Sequence, residues 1–256
     1  MLILLPPSEG KAQPRRGKPV DPGSGPLADA RRDVREALID LCRGPEEDAV
    51  RVLGLSPGQM DDVRRNARLS ELPSAAAERI YSGVLYEALG LTTLDPPAHR
   101  RAVARVAIVS SLYGLVRPAE RIAPYRLGGG VTLPRLGGVA AHWRRHLDPV
   151  VRDLAGRGLI VDLRSTTYAG FWRPAADLAR HVVTVRVLHE VKGRRQVVSH
   201  FNKATKGRLV RAVLEDGRDP RTPSAFAALL IDHGWHVELG SDSTTGSQLD
   251  VVVTEL

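Results

Sequence analysis

The chain has 256 residues, of which 43% are hydrophobic, enough for one large domain with a real core and too apolar for a disordered protein. Its mean hydropathy is −0.17, and no apolar run approaches the roughly 18–20 residues of a helical membrane span. The single cysteine, Cys42, excludes an internal disulfide framework, a cysteine-cluster zinc site and an iron–sulfur cluster, while 37 basic against 29 acidic residues give a net charge of +8 that favours polyanionic partners.

Leu2–Leu5 predicts a buried strand. The apolar start is too short for a secretory signal and lacks a basic lead, so a cytoplasmic location is expected. From Pro6 to Gly25 the chain is rich in Pro, Gly and basic residues and predicts a long loop, of the kind that carries function. Residues 27–95 predict a helical insert. Val34, Leu38, Leu41 and Cys42 fall on one helical face, with Cys42 as a small core residue. Ser56-Pro57 predicts an N-cap followed by Pro in the first turn. Pro73-Ser74 predicts the start of a helix carrying Tyr81, Leu85, Tyr86 and Leu89.

Beyond Arg105 the pattern changes. Val106–Val109 and Leu159–Leu163 predict buried strands, and His181–Glu190 and Gln196–Phe201 predict two strands joined by a turn at Lys192-Gly193-Arg194-Arg195. Lys203–Leu214 predicts a helix, and Trp235–Leu239 with Leu249–Thr254 a closing pair of strands. The expected fold is a single mixed α/β domain over residues 1–256, with a central mixed sheet flanked by helices and the helical insert at about 27–95.

Four segments share one design, in which an apolar strand runs into a polar or basic loop. They are Leu5–Lys11, Val109–Pro118 continuing to Pro124-Tyr125-Arg126, Asp162–Tyr168, and Ser199–Arg208. Ligands of α/β sheets sit beyond the carboxyl ends of parallel strands. If the four strands are parallel neighbours, their loops gather Lys11, Arg117, Arg126, Lys203 and Lys206, with Tyr113, Tyr125 and Tyr168 among them.

Only five lysines stand among the 37 basic residues, and three of them, Lys11, Lys203 and Lys206, lie in these loops. A lysine where arginine is the default suits a compact ammonium at a phosphate, or a tuned base. In the fourth segment Asn202, Lys203 and Lys206 fall in the first turns of a helix, where free N–H groups favour an anion. Glu9 and Asp162, also at strand ends, have the chemistry of a general acid or base. His142 and His146 stand at i, i+4 without the glutamate of a zinc-protease motif, and Gly128-Gly129-Gly130 is no dinucleotide fingerprint. Neither a metal nor a cofactor is expected.

The same segments, in the same order, resemble the YaaA family of peroxide-stress-response proteins over nearly the whole chain. The resemblance rests on Met1–Leu4 with Pro7–Lys11, on Ile80–Tyr86, on Ser110–Pro118 with Pro124–Leu127, on His142-Trp143, on Val161–Tyr168 and on Ser199–Arg208. It implies a cytoplasmic protein that limits damage when iron and peroxide coexist. It also implies a single-domain fold whose basic cleft binds duplex or distorted DNA. A helix–hairpin–helix element is part of that resemblance, and Val52–Gly58 is its local candidate.

Two functions follow as expectations. In the first, DNA is held with weak sequence specificity by Lys11, Arg117, Tyr125, Arg126, Lys203, Lys206 and Arg208, with Tyr113 and Tyr168 stacking on unpaired bases. In the second, the cleft is that of an enzyme for a phosphorylated or nucleoside-like small molecule, with Ser8, Glu9, Asp162 and Lys203 as catalytic candidates. A monomer with no membrane partner is expected in either case. Direct iron chelation is disfavoured by the weak metal spacing.

Overall fold

The computed structural model describes residues 1–20, 25–191, 194–196, 199–241 and 243–254. In chain order its strands are β1 (Leu2–Leu5), β2 (Ala75–Ala76), β3 (Val106–Ser110), β4 (Gly114–Val116), β5 (Arg121–Ile122), β6 (Thr132–Leu133), β7 (Gly137–Gly138), β8 (Ile160–Asp162), β9 (Val182–Val191), β10 (Arg194–Gln196), β11 (His236–Leu239) and β12 (Ser247–Val253). Eight of them form one mixed sheet in the order β11-β12-β9-β8-β1-β3-β4, with β10 hydrogen-bonded to β9. The five strands β12, β9, β8, β1 and β3 run parallel, whereas β4, β10 and β11 are antiparallel.

The register places Ile3 opposite both Val106 and Val161, so β1 occupies the middle of the sheet. Every residue of β1, β3 and β8 is buried, as expected for parallel strands covered on both faces. Helices supply the cover. Ala28–Arg43 buries Ala30, Val34, Leu38, Ile39 and Cys42 along one stripe. Burial pushes the Cys42 thiol up to about 11, which suits a core residue. The insert continues with helices Glu46–Leu53 and Met60–Ala67, joined by a tight turn at Gly54 (φ 63°). Ser56 and Gln59 reciprocally cap the single turn Pro57–Gln59 that leads into the second of these, with Pro57 at its start.

Two expectations are corrected. The helix expected from Pro73-Ser74 is two short helices, Ala77–Ile80 and Val84–Leu89, separated at Tyr81–Gly83 where Gly83 has φ 95°. The break is tertiary in origin. Lys11 forms an antiparallel bridge with Tyr81, and Ala12 N donates to Ile80 O, so the loop after β1 docks into the gap.

Of the strand expected at Gln196–Phe201, Gln196 ends β10, residues 197 and 198 lie outside the described residues, and from Ser199 the chain is helical through Asp216. Helix wins there because Thr205, Leu209, Val210, Val213 and Leu214 are buried at helical spacing. The helix lies against Val84–Leu89, and a Cβ on Gly207 would run into the Leu85 carbonyl. Of the turn expected at 192–195, residues 192 and 193 lie outside the described residues. No described helix is long and apolar enough to cross a membrane.

Candidate functional site

The carboxyl ends of β3, β1 and β8 are adjacent, so three of the four strand-to-loop segments meet on one edge of the sheet. Tyrosine and serine hydroxyls tie them together. Ser110 Oγ lies 2.8 Å from Tyr125 Oη, which lies 3.2 Å from Tyr81 Oη. Ser111 Oγ lies 3.2 Å from Tyr168 Oη, joining the β3 and β8 loops. Tyr86 Oη donates to Pro6 O at 2.6 Å, fixing the start of the first loop. Burial pushes the phenols of Tyr81, Tyr86, Tyr113 and Tyr125 upward, so they stay protonated and neutral.

Lys11 stands where the first loop meets this network. Its Nζ donates to Ser8 O at 2.7 Å and sits 4.2 Å from the centre of the Tyr125 ring and 5.6 Å from that of Tyr81. Burial, reinforced by the Arg126 charge, brings its pKa down to about 7. Glu9 and Asp62 oppose the shift, but each carboxylate already holds a guanidinium. Glu9 pairs with Arg126 at 3.3 Å, and Asp62 pairs with Arg65. Arg126 is positioned by its backbone: its N donates to Asn66 Oδ1 at 3.0 Å and its O accepts from Asn66 Nδ2 at 2.7 Å.

Above Lys11 opens a cleft of about 480 Å³ lined by Glu9, Gly10, Lys11, Gln13, Gln59, Asp62, Arg65, Tyr125 and Arg126. Gln59, Asp62, Arg65 and the buried Asn66 are additions to the residues expected from sequence. A signal for the three lining residues exists, since residues 59, 62 and 65 recur at helical spacing just after the Ser56-Pro57 cap. The lining carries three cations and two acids, so its charge is mixed.

The remaining expected residues are distributed around this cleft. Ser8 Oγ donates to Gly10 O and accepts from Ser82 N, shaping the turn that presents Lys11. Asp162 is buried and grips Arg164 through both oxygens, at 2.9 and 2.7 Å. Arg164 Nη1 donates in turn to Tyr168 O, and its guanidinium lies 5.3 Å from the Trp172 ring.

Lys206 Nζ donates to Leu163 O at 2.9 Å, so the fourth segment does reach the β8 loop, from a helix. Burial lowers the Lys206 pKa. Lys203 and Arg208, on the same helix, are exposed.

Tyr113 is buried, with its Oη accepting from Ala123 N, and Tyr168 is half-buried against Phe171. Arg117 is not brought to the cleft. Its guanidinium donates to the carbonyls of Val103 and Ala104, because the chain doubles back at Gly114 (φ 73°) into β4. His142 bonds Ala30 O at 3.0 Å and packs edge-on against Trp143. No cluster of three or more His, Cys, Asp or Glu suited to a metal occurs among the described residues.

Fold and site together define an α/β protein whose ligand-sized cleft lies between a parallel-sheet edge and a helix–turn–helix insert. Residues 1–236 match the family model described as Peroxide stress protein YaaA, and the chain belongs to that family. It is 46% identical over 261 residues to a UPF0246 protein of Streptomyces coelicolor, covering 100% of both chains. A UPF0246 protein of Corynebacterium efficiens is 40% identical over 244 residues, with 93% of this chain and 95% of that one covered. One from Cereibacter sphaeroides is 31% identical over 241 residues, covering 89% and 91%.

Proposed function

We propose that this member of a peroxide-stress family acts in the cytoplasm by binding DNA, duplex or distorted, across the cleft, so limiting damage when iron and peroxide coexist. The observation that carries this reading is the joint construction of the cleft. The second helix of the 46–67 pair contributes Arg65, and the turn just before it Gln59, to the surface that also holds Lys11 and Arg126. The loop that gives the cleft Gly10, Lys11 and Gln13 continues with Arg15, Arg16 and Lys18, and residues 10–20 contain no acid. Arg15, Arg16 and Lys18 are exposed and make no ion pair with a described residue. Such a lip suits phosphates, which position a duplex without reading its sequence. Of the tyrosines, Tyr168 has the exposure to meet an unpaired base, whereas Tyr113 is enclosed.

Fluorescence anisotropy with plain and bulged duplexes across a salt series tests it. Binding is expected at micromolar or tighter concentrations, with a steep salt slope that flattens in Arg15→Ala/Arg16→Ala/Lys18→Ala and, less, in Lys203→Ala/Lys206→Ala. Wild type binding no better than an unrelated protein of equal charge would overturn the reading.

A second reading is favoured by one observation. The cleft's volume of about 480 Å³ and its mixture of three cations with two acids match a small-molecule site as well as a groove. In that reading Arg126 and Arg65 hold a phosphorylated or nucleoside-like ligand over Lys11. Saturable binding of a nucleotide that displaces no duplex would favour it.

A further inference from the structure

Lys11 does not behave as a phosphate-holding ammonium. An ammonium has three hydrogens to place and a full charge to balance. Here Nζ has a single hydrogen-bond acceptor among the described residues, Ser8 O, and no carboxylate at ion-pair distance. The two acids of the cleft are taken up by guanidiniums, and the nearest aromatic surface is the Tyr125 ring. The site therefore tolerates the neutral amine, which donates one hydrogen to Ser8 O and keeps its lone pair for the cleft. The side chain is partly buried yet lines a solvent-open cavity, so a ligand can reach it. Arg65 and Arg126 stand on the same wall, where an anionic group of that ligand would rest.

We propose that Lys11 is a nucleophilic amine that captures the aldehyde of a sugar phosphate as an imine, with Arg126 and Arg65 holding the phosphate. The Nζ lone pair attacks the carbonyl carbon, and the C=O pair moves to oxygen, which takes a proton. The nitrogen gives up both of its hydrogens, one to that oxygen as the carbinolamine forms and one to the hydroxyl that the carbinolamine then expels as water. The balance is one amine and one aldehyde giving one imine and one water, with no oxidant or reductant, and hydrolysis reverses it. The neutral amine that the first step needs is supplied near neutral pH by the displacement of Lys11 to about 7.

The same chemistry is offered by two sources. One is a free open-chain sugar phosphate, and the other is the deoxyribose aldehyde of an abasic site in DNA. The inference rests on the cleft being a ligand site and holds under either reading of it. Because duplex affinity is read by anisotropy and imine formation by trapping, the two can fail separately.

The experiment is reductive trapping with sodium cyanoborohydride at pH 7, followed by peptide mass spectrometry of the intact chain's digest. Three probes are compared: a duplex with one abasic site, ribose 5-phosphate, and uncharged propanal. Lys18 and Lys203, exposed on the same molecule, serve as internal standards. Adduct at Lys11 is expected to form at least about tenfold faster than at either standard, reflecting its larger neutral fraction. The advantage is expected to fall away below pH 6, and Lys11→Arg is expected to abolish the adduct. Preference for the abasic duplex assigns the DNA source, and preference for ribose 5-phosphate the free one. Equal labelling of the three lysines with every probe would overturn the proposal even if Lys11→Arg proved unstable. Propanal labelling Lys11 as well as the two phosphates do would overturn the role given to Arg65 and Arg126.

Discussion

The basic residues of the loop at 10–20 and those of the carboxyl-terminal third present opposite arrangements of the same charge. In the latter, arginines are spent on carboxylates. Arg218 grips Asp216 at 2.8 Å and Asp232 at 2.6 Å, Arg195 bridges Glu190 and Glu238, and Arg186 binds Asp250. Along residues 10–20, by contrast, four cations face the solvent or the cleft with no acid in the segment. A net charge of +8 is therefore not spread evenly over the surface. The paired arginines of that third hold helices and strands to one another, whereas Arg15, Arg16 and Lys18 are exposed to a polyanionic partner.

The contrast can be broken most sharply at the loop. Arg15→Ala/Arg16→Ala/Lys18→Ala is expected to weaken duplex binding about tenfold or more. For every phosphate that is no longer neutralised, the slope of log K against log salt should fall by about 0.9. Anisotropy across a salt series measures both, and an unchanged slope would contradict the assignment.

A second prediction concerns Lys11 and pH. Its folded pKa is displaced downward to about 7 from the ordinary lysine value of 10.5, so between these values the unfolded chain binds more protons than the folded one. Stability from this group therefore rises with pH across that window, and below pH 7 the buried charge opposes folding in full. Lys11→Met is expected to stabilise the protein more at pH 6 than at pH 9, as read from urea midpoints. A constant difference would mean that Lys11 titrates normally.

A third prediction is for the paired region. Arg218→Ala is expected to lower stability only slightly, since it removes two solvent-screened pairs, and to leave duplex affinity within about twofold of wild type. A urea melt and one titration check it.

The smallest effect sharpens the same point. Arg218 and His233 hold the Asp216 carboxyl well below the usual range. Its contribution is present above the unfolded pKa of about 3.9 and is lost as pH falls through the folded value. Asp216→Asn should therefore be less stable than wild type at pH 7, and the gap should close on acidification. Arg218 keeps Asp232 as a partner in this variant, so DNA binding should not rise.

Much of the cleft is legible in the sequence because a strand running into a polar loop is a local pattern. Leu5–Lys11, Val109–Ser111 and Asp162–Tyr168 lie at neighbouring strand ends, as the sequence predicts. What escapes depends on interactions between distant segments. Arg117 and Tyr113 belong to the right stretch of sequence, but the reversal at Gly114 carries Arg117 to the carbonyl end of helix Pro96–Arg105. Asn66 shows the opposite case. Nothing in its neighbours announces that its amide will clamp the backbone of Arg126 across the cleft. Residues 199–201 are expected in a strand, yet the burial of Thr205, Leu209 and Val213 decides for helix there.

The place of β1 has a consequence for the order of assembly. This strand lies at residues 2–5, and the strands on its two sides lie at 106–110 and 160–162. During synthesis its backbone hydrogen-bonding groups stay unmatched until long after it has left the ribosome. The ordering cost of closing those long loops falls before the reward of the finished sheet. In that interval an apolar Leu-Ile-Leu-Leu segment is open to chaperones and to other nascent copies. The turn that carries Lys11 begins where this strand ends, so its base is paired on both sides only when the second of the two neighbours has been translated.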